Sequence, residues 1–214
     1  DNLRDYAGYN FNFEGIAKEL FRVVRDGGIV VWIVGDATIK GSETGTSFKQ
    51  ALYFKEIGFN LHDTMIYEKD VIIFPCPTRY HQSFEYMFIF TKGKIKTFNL
   101  IKDTINIRGG EMRKNHWERQ KNGTLKIKKK IYQICDKSIR RNIWRYGVGW
   151  MKSTTDKIAY KHPAIFPEKL AQDHIISWSN EGETVLDPMC GSGTTCKMAK
   201  ILKRNYIGID ISPE

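Results

Sequence analysis

The stretch Glu183-Thr-Val-Leu-Asp-Pro-Met-Cys-Gly-Ser-Gly-Thr-Thr195 constrains the fold of this chain more than any other. Thr184 to Leu186 reads as a buried strand with an acid, Asp187, at its C-terminal end. A glycine turn follows, and then a helical pattern with Met198, Ala199, Ile201 and Leu202 on its apolar side. Arg204-Asn-Tyr-Ile-Gly-Ile-Asp210 supplies a second strand, again ending in an acid. Strand, Gly-x-Gly, helix, strand and acid together build the nucleoside-binding crevice of an open, doubly wound α/β sheet. Gly191 and Gly193 let the backbone approach a ligand, and Asp210 stands about 20 residues on, where a ribose-binding carboxylate is expected. A phosphate-cradling loop would need a lysine after the glycines, and Gly193-Thr-Thr has none. A dinucleotide fingerprint wants a small residue where Cys196 stands. The turn by itself names a nucleoside crevice without naming its ligand.

Upstream, apolar positions Ile16, Leu20, Phe21, Val23 and Val24 predict a helix over 13–24, capped by Asn12 or Asn10 and ended by Asp26-Gly-Gly28. Ile29-Val-Val-Trp-Ile-Val34 is a continuous β-branched run, suited to a strand buried on both faces of a parallel sheet. A second helix is expected over 47–57, strands over 60–67 and 83–91, and a helix over 168–178. Helices alternating with apolar strands on both sides of an insertion imply one sheet.

The net charge is +10, with an isoelectric point near 9.4, and its distribution matters more than its size. Residues 92–145 hold 17 Lys/Arg against 4 Asp/Glu, and the remainder holds 17 against 20. So local an excess points to a polyanionic partner. Within this block only 124–134 is regular, with Leu125, Ile127, Ile131 and Ile134 diluted by lysines. Loops, short strands and a small satellite core anchored by Trp117, Trp144 and Trp150 are expected. The four cysteines (Cys76, Cys135, Cys190, Cys196) form no Cys-x-x-Cys pair and no cluster with zinc spacing, so neither a disulfide framework nor a metal is expected. No apolar run approaches the ~20 residues of a membrane span, and a reduced, cytoplasmic setting is expected. A chain that begins at Asp1 and stops just past a strand reads as a piece of a longer polypeptide.

Asp187-Pro-Met-Cys-Gly-Ser-Gly-Thr-Thr195 resembles the S-adenosylmethionine motif of the amino-methylating DNA methyltransferases. Three further stretches are similar to that family in the same order. Leu20 to Asp36 looks like its helix-to-strand unit, and Arg79 to Gly93 like the strand beside its target-base pocket. Tyr160-Lys-His-Pro-Ala-Ile-Phe-Pro-Glu168 resembles the loop over the cofactor's methionine part. The resemblance is to the permuted β class and covers essentially the whole chain. It implies a Rossmann-like class I methyltransferase sheet with an inserted basic target-recognition module. The catalytic half would be 1–93, the recognition insertion 94–150 and the cofactor half 151–214.

The implied reaction is methyl transfer from S-adenosyl-L-methionine to adenine N6 or cytosine N4 of a flipped base in double-stranded DNA. The resemblance places the cofactor at His162, Pro163, Phe166, Asp187, Pro188, Cys190, Gly191, Ser192, Gly193, Thr194, Asp210 and Ile211. Asp187 is read as a turn-stabilising acid, and Cys190 as packing against the cofactor. Tyr6, Tyr9, Tyr80 and Phe84 are candidates to stack on the base. Arg108, Arg113, Lys114, Arg119, Arg140, Arg141 and Arg145 are candidates for phosphates or guanine edges, and Lys126 to Lys130 reads as a phosphate-tracking run or a solvated face. Cys76 in Pro-Cys-Pro is read as a loop cysteine, not a nucleophile. The family's catalytic Pro-Pro tetrapeptide is absent from these residues and is expected just upstream of Asp1. A cognate restriction endonuclease is a candidate partner. An RNA methyltransferase on the same fold and a catalytically inactive nucleic-acid-binding remnant are the alternatives.

Overall fold

In a computed structural model of the chain the described residues are 11–71, 77–161 and 165–211. The elements begin with α1 (Phe13–Val23), β1 (Ile29–Val34), the short pair β2 (Thr38–Ile39) and β3 (Ser42–Glu43), α2 (Thr46–Glu56), β4 (Asn60–Lys69) and β5 (Phe84–Thr91). The basic segment contributes β6 (Lys102–Ile105), β7 (Met112–Arg119), β8 (Leu125–Gln133) and β9 (Lys137–Ile139). Then come β10 (Ile143–Tyr146), a 3-10 turn, α3 (Glu168–Trp178), β11 (Thr184–Asp187), α4 (Thr194–Ile201) and β12 (Asn205–Gly208).

The chain divides into two compact units. Residues 1–99 and 142–214 form one, and Leu100–Arg141 the other. In the first, four strands run in the order β1-β5-β4-β10. β5 lies antiparallel to both β1 and β4, and β10 is parallel to β4. The sheet is therefore mixed, and the expectation of a purely parallel environment for Ile29–Val34 is corrected. The single expected sheet also divides, because β11 and β12 pair in parallel as a separate ladder.

Alternation along β5 shows how the sheet is covered. Phe88 and Phe90 join Trp32, Val30, Ala17, Leu20, Ala51, Phe54 and Phe59 in a core beneath α1 and α2. Phe54 stacks on Phe90 at 4.6 Å, and the Trp32 indole N–H donates to buried Gln50 at 2.8 Å. Met87, one position off that row and so on the opposite face, touches His174 of α3 at 3.2 Å, and Trp144 of β10 lies 4.8 Å from the same ring. Tyr146 donates to the buried Asp173 carboxylate at 2.9 Å. Helices thus cover both faces, which is the three-layer α/β arrangement.

Asn12 caps α1 as expected, its side chain accepting from Gly15 N–H at 3.0 Å. The other end differs. Val24, not a glycine, is the C-cap, and the Lys92 ammonium donates to the Phe21 and Val24 carbonyls at 2.8 and 2.9 Å. A cation at the negative end of the helix does what the glycine was expected to do.

The second unit is a β-ribbon, with β7 antiparallel to β8 and β6 antiparallel to β9. No residue within 100–141 is buried, so the expected satellite core is absent. The physical reason is geometric: a two-stranded ribbon has no second layer to close over its side chains. Trp117 is 65% exposed, whereas Trp144 belongs to the core of the first unit and Trp150 packs against Tyr160 with ring centroids 4.3 Å apart and the planes tilted by 37°. The segments flanking the ribbon also belong to the first unit, which is why it is narrower than 94–150. Asn99 N–H donates to Ser177 at 2.7 Å, and β10 joins the main sheet.

Candidate cofactor turn, base cavity and nucleic-acid interface

The β11–turn–α4 unit is held by a chain of backbone bonds. Asp187 pairs with Gly208 across the ladder, Ile209 N–H donates to the Asp187 carbonyl at 2.9 Å, and Cys190 N–H donates to the Ile209 carbonyl at 2.9 Å. The Asp187 carboxylate accepts from Met189 N–H at 3.1 Å, an Asx turn that fixes the chain's exit from the strand. Gly191 and Gly193 take positive φ of 48° and 78°. A Cβ built on Gly193 meets nothing within 4 Å, so the turn faces open space. Gly191 N–H donates to the Asp210 carboxylate at 2.8 Å, which brings the acid after β12 directly onto the glycine turn. Gly208 allows this closeness, since a Cβ there would sit 2.7 Å from the Cys196 sulfur and 3.1 Å from that of Cys190. Burial, followed by the charges of Asp187 and Asp210, pushes the Cys190 thiol up; burial and then Cys190 do the same to Cys196. Both remain protonated packing groups at neutral pH.

A polar clamp holds α4 to the segment before α3. The Lys197 ammonium lies 2.7 Å from Glu168 and 3.7 Å from Asp156, and Thr154 donates its hydroxyl to Glu168. Burial pushes the Glu168 carboxyl up, but the bonds from Lys197 and Thr154 outweigh it and hold the group below its usual range. Phe166 packs against Ala171, Ile175, Met198 and Ala199 between the two helices. Thr194 is buried, and Ser192 lies 3.4 Å from it, hydroxyl to hydroxyl. Pro188 is half-buried and Ile211 is 68% exposed. His162 and Pro163 lie outside the described residues, as do Tyr6, Tyr9 and Cys76.

A cavity of about 220 Å³ opens beyond the C-terminal end of β1, where β5 begins. Tyr80 and Phe84 line it, together with Asp36, Glu43, Phe48, His81, Gln82 and Tyr86. Asp36 is already engaged, accepting from Ser47 N–H at 3.0 Å and from Thr44 at 3.2 Å, and so caps α2, whose N-cap Gly45 has no side chain. Phe48 and Phe84 each lie 5.4 Å from Tyr86, giving an aromatic wall. Tyr80 stands fully exposed at the rim.

The seven basic candidates separate. Arg108 is paired with Glu111 at 2.7 Å, and Arg140 with Asp103. Arg145 lies on β10 opposite Glu68, in the first unit. Arg113, Lys114 and Arg119 lie on β7 of the ribbon, and Arg141 ends that unit. Among the described residues no group of three or more His, Cys, Asp or Glu side chains is placed to hold a metal. No described helix is long and apolar enough to cross a membrane.

A family model described as DNA methylase matches residues 1–214. The chain belongs to the DNA methylase family. It is 60% identical over 216 residues to the orphan methyltransferase M.BamHII of Bacillus amyloliquefaciens, a match spanning 100% of this chain and 81% of that protein. It is 32% identical over 209 residues to the Type II methyltransferase M.MjaI of Methanocaldococcus jannaschii, across 91% of this chain and 60% of that one. Among solved structures, the cytosine-N4-specific PvuII DNA methyltransferase superposes with a TM-score of 0.69 at 18% identity, covering 100% of this chain and 70% of that one. The complex of M1.HpyAVI with S-adenosylmethionine gives 0.61 at 23%, covering 94% and 76%. The expected Rossmann-like fold and the amino-methyltransferase family are both borne out.

Enzymes of this family are S-adenosylmethionine-dependent, and the turn of this methylase fits that group. A side-chain-free glycine edge faces open space, an acid sits against it, and Met189 and Ile211 are exposed beside it for a flat base. Three contributors were missed in the sequence. Gly208 lay unremarked within an apolar strand, Lys197 within a helical pattern, and Gln82 within the stretch Arg79 to Gly93. None had a local signal, because each matters through a partner distant in sequence.

Proposed function

We propose that this methylase holds S-adenosylmethionine on the β11–α4 turn and receives the target base in the cavity bounded by Tyr80, Phe84, Phe48 and Tyr86. The observation that carries the reading is Asp210 drawn onto Gly191 at 2.8 Å, which sets a carboxylate beside an open glycine edge where ribose hydroxyls would bind. When bound, the cofactor supplies a sulfonium methyl open to displacement by an amine nitrogen. The protein's own residues bind and orient. Asp187 shapes the turn, Gly191 and Gly193 keep it free of side chains, and the Lys197–Glu168 clamp fixes the helix behind it. The aromatic wall suits a flipped base, with Gln82 and His81 at hand for its polar edge. Positioning of this kind supplies much of the rate for a reaction without an enzyme nucleophile.

Replacing Asp210 with Ala should abolish S-adenosylmethionine binding in calorimetry while affinity for duplex DNA persists. Unchanged cofactor affinity would refute the ribose role. Residues 100–141 form the DNA-recognition module in this reading, supported by 13 Lys/Arg against 4 Asp/Glu in that unit. The site of action proposed is the cytoplasm. For the partner, the name of the 60% identical relative, an orphan methyltransferase, favours a solitary enzyme over one paired with an endonuclease. Deleting the gene should then leave cells viable with their DNA uncut; fragmentation of the chromosome would establish a paired endonuclease.

A further inference from the structure

The ribbon is unusual in what it leaves uncovered. It buries no residue of its own, yet Met112, Trp117, Leu125, Ile127 and Ile131 are all between 43% and 65% exposed on β7 and β8. The tip has two chemically distinct faces, set by strand register. Trp117 stands opposite Ile127, and Arg119 opposite Leu125, so these four share one face. His116 stands opposite Lys128, and Glu118 opposite Lys126, so these share the other, where Glu118 and Lys128 pair at 3.4 Å. A register shift between Lys114 and His116, with Asn115 at a φ of 56°, sets this tip off from the ribbon's base. The tip closes through Gln120 and Thr124, bonded at 2.8 Å, with Gly123 at a φ of 84°.

We propose that the face bearing Trp117, Arg119, Leu125 and Ile127 reads base edges in the DNA major groove, while the lysines of β8 hold the flanking phosphates. This rests on the reading of residues 100–141 as the recognition module. The major groove, about 12 Å wide, admits a two-stranded ribbon. The apolar side chains match thymine methyl groups, and the guanidinium of Arg119 matches the two acceptors on a guanine edge. Arg119 has no ion-pair or hydrogen-bond partner among the described residues, in contrast to Arg108 and Arg140, which neighbouring acids occupy. Charge complementarity selects the occupant: the unit carries a net +9, so a polyanion covers this apolar face more readily than a second equally basic copy.

The test uses the full chain with a pool of randomised 30-base-pair duplexes, sequencing the bound fraction, and with one fixed duplex titrated at several salt concentrations. Trp117→Ala and Arg119→Lys should flatten the sequence enrichment. Arg119→Lys keeps its charge and should leave the salt slope unchanged, which separates base reading from phosphate contact. Lys129→Ala and Lys130→Ala should weaken all sequences equally and reduce the slope by about 1 each, with enrichment intact. Enrichment unchanged in both Trp117→Ala and Arg119→Lys would overturn the proposal, as would a DNA-free dimer that Trp117→Ala dissociates. Replacing the whole ribbon with a flexible linker distinguishes the two levels. If that leaves enrichment intact, the recognition-module reading itself fails; if it abolishes enrichment while the point variants do not, only the face assignment fails.

Discussion

Gly208 shows how a single missing methyl group can organise a site. Its φ is unremarkable, but the space its side chain would fill holds two sulfurs, at 2.7 and 3.1 Å. Any Cβ there must push Cys196 or Cys190 aside and open the turn that Asp210 closes. Overpacking of this kind costs about 1–3 kcal/mol. Gly208→Ala should therefore weaken S-adenosylmethionine binding roughly tenfold. Adding Cys196→Ala removes the nearer sulfur and should recover most of that loss, a coupling that calorimetry on the single and double variants measures. If Gly208→Ala binds the cofactor as the parent does, the crowding has no bearing on the site.

At the scale of elements, α3 carries an unusual load for a core helix. Its buried side includes Asp173 and His174 beside Leu170, Ala171 and Ile175. Asp173 is stabilised by Tyr146 and by Lys169 at 2.8 Å. His174 accepts from the Trp178 indole at 3.2 Å, and burial pushes its pKa down to about 3. An unfolded histidine titrates near 6.5, so between those values the unfolded chain takes up a proton that the native one refuses. Stability is therefore full above about pH 6.5 and falls as pH drops towards 3, by about 1.4 kcal/mol per unit within the window. Urea midpoints at pH 7.5 and 5.0 should differ accordingly in the parent, and much less in His174→Gln. An equal drop in both would assign the acid sensitivity elsewhere. Keeping above pH 4.5 avoids the carboxylates Glu168, Glu183, Asp70 and Asp103, all of which are held below their usual range.

For the whole molecule, charge and burial divide along the same line. The ribbon holds nearly all of the net positive charge and none of the core, while residues 1–99 and 142–214 hold the core, the glycine turn and the cavity lined by Tyr80 and Phe84. Replacing residues 100–141 with a short Gly/Ser linker removes no buried side chain, and closing a loop of different length changes stability by well under 1 kcal/mol per doubling. Such a variant should unfold cooperatively with an unchanged midpoint and bind S-adenosylmethionine normally, while losing duplex DNA. A collapsed midpoint would mean that the ribbon supports the core after all.

Signals that repeat within a few residues were legible in the sequence. Hydrophobic periodicity placed α1, α2 and α3 within about a residue of their ends, the β-branched run gave β1, and Asn12 announced its own cap. The glycine turn was legible too, because positive φ at Gly191 and Gly193 is a local demand. Charge counting singled out the segment that folds as a separate unit, since composition survives without coordinates. Strand direction did not follow from composition: β1 meets an antiparallel neighbour because β5 returns from the cavity side, and no residue in either strand encodes that. Lys92 capping a helix some 70 positions earlier, the sulfurs over Gly208 and the two faces of the ribbon tip each depend on partners joined only by folding. The sequence by itself determined the helices and most strands of the first unit, the family and the shape of the turn, because those rest on local backbone preference and short motifs. Tertiary structure alone decided the sheet's mixed direction, the cavity and the absence of a core under Trp117, because each is set by which distant surfaces meet.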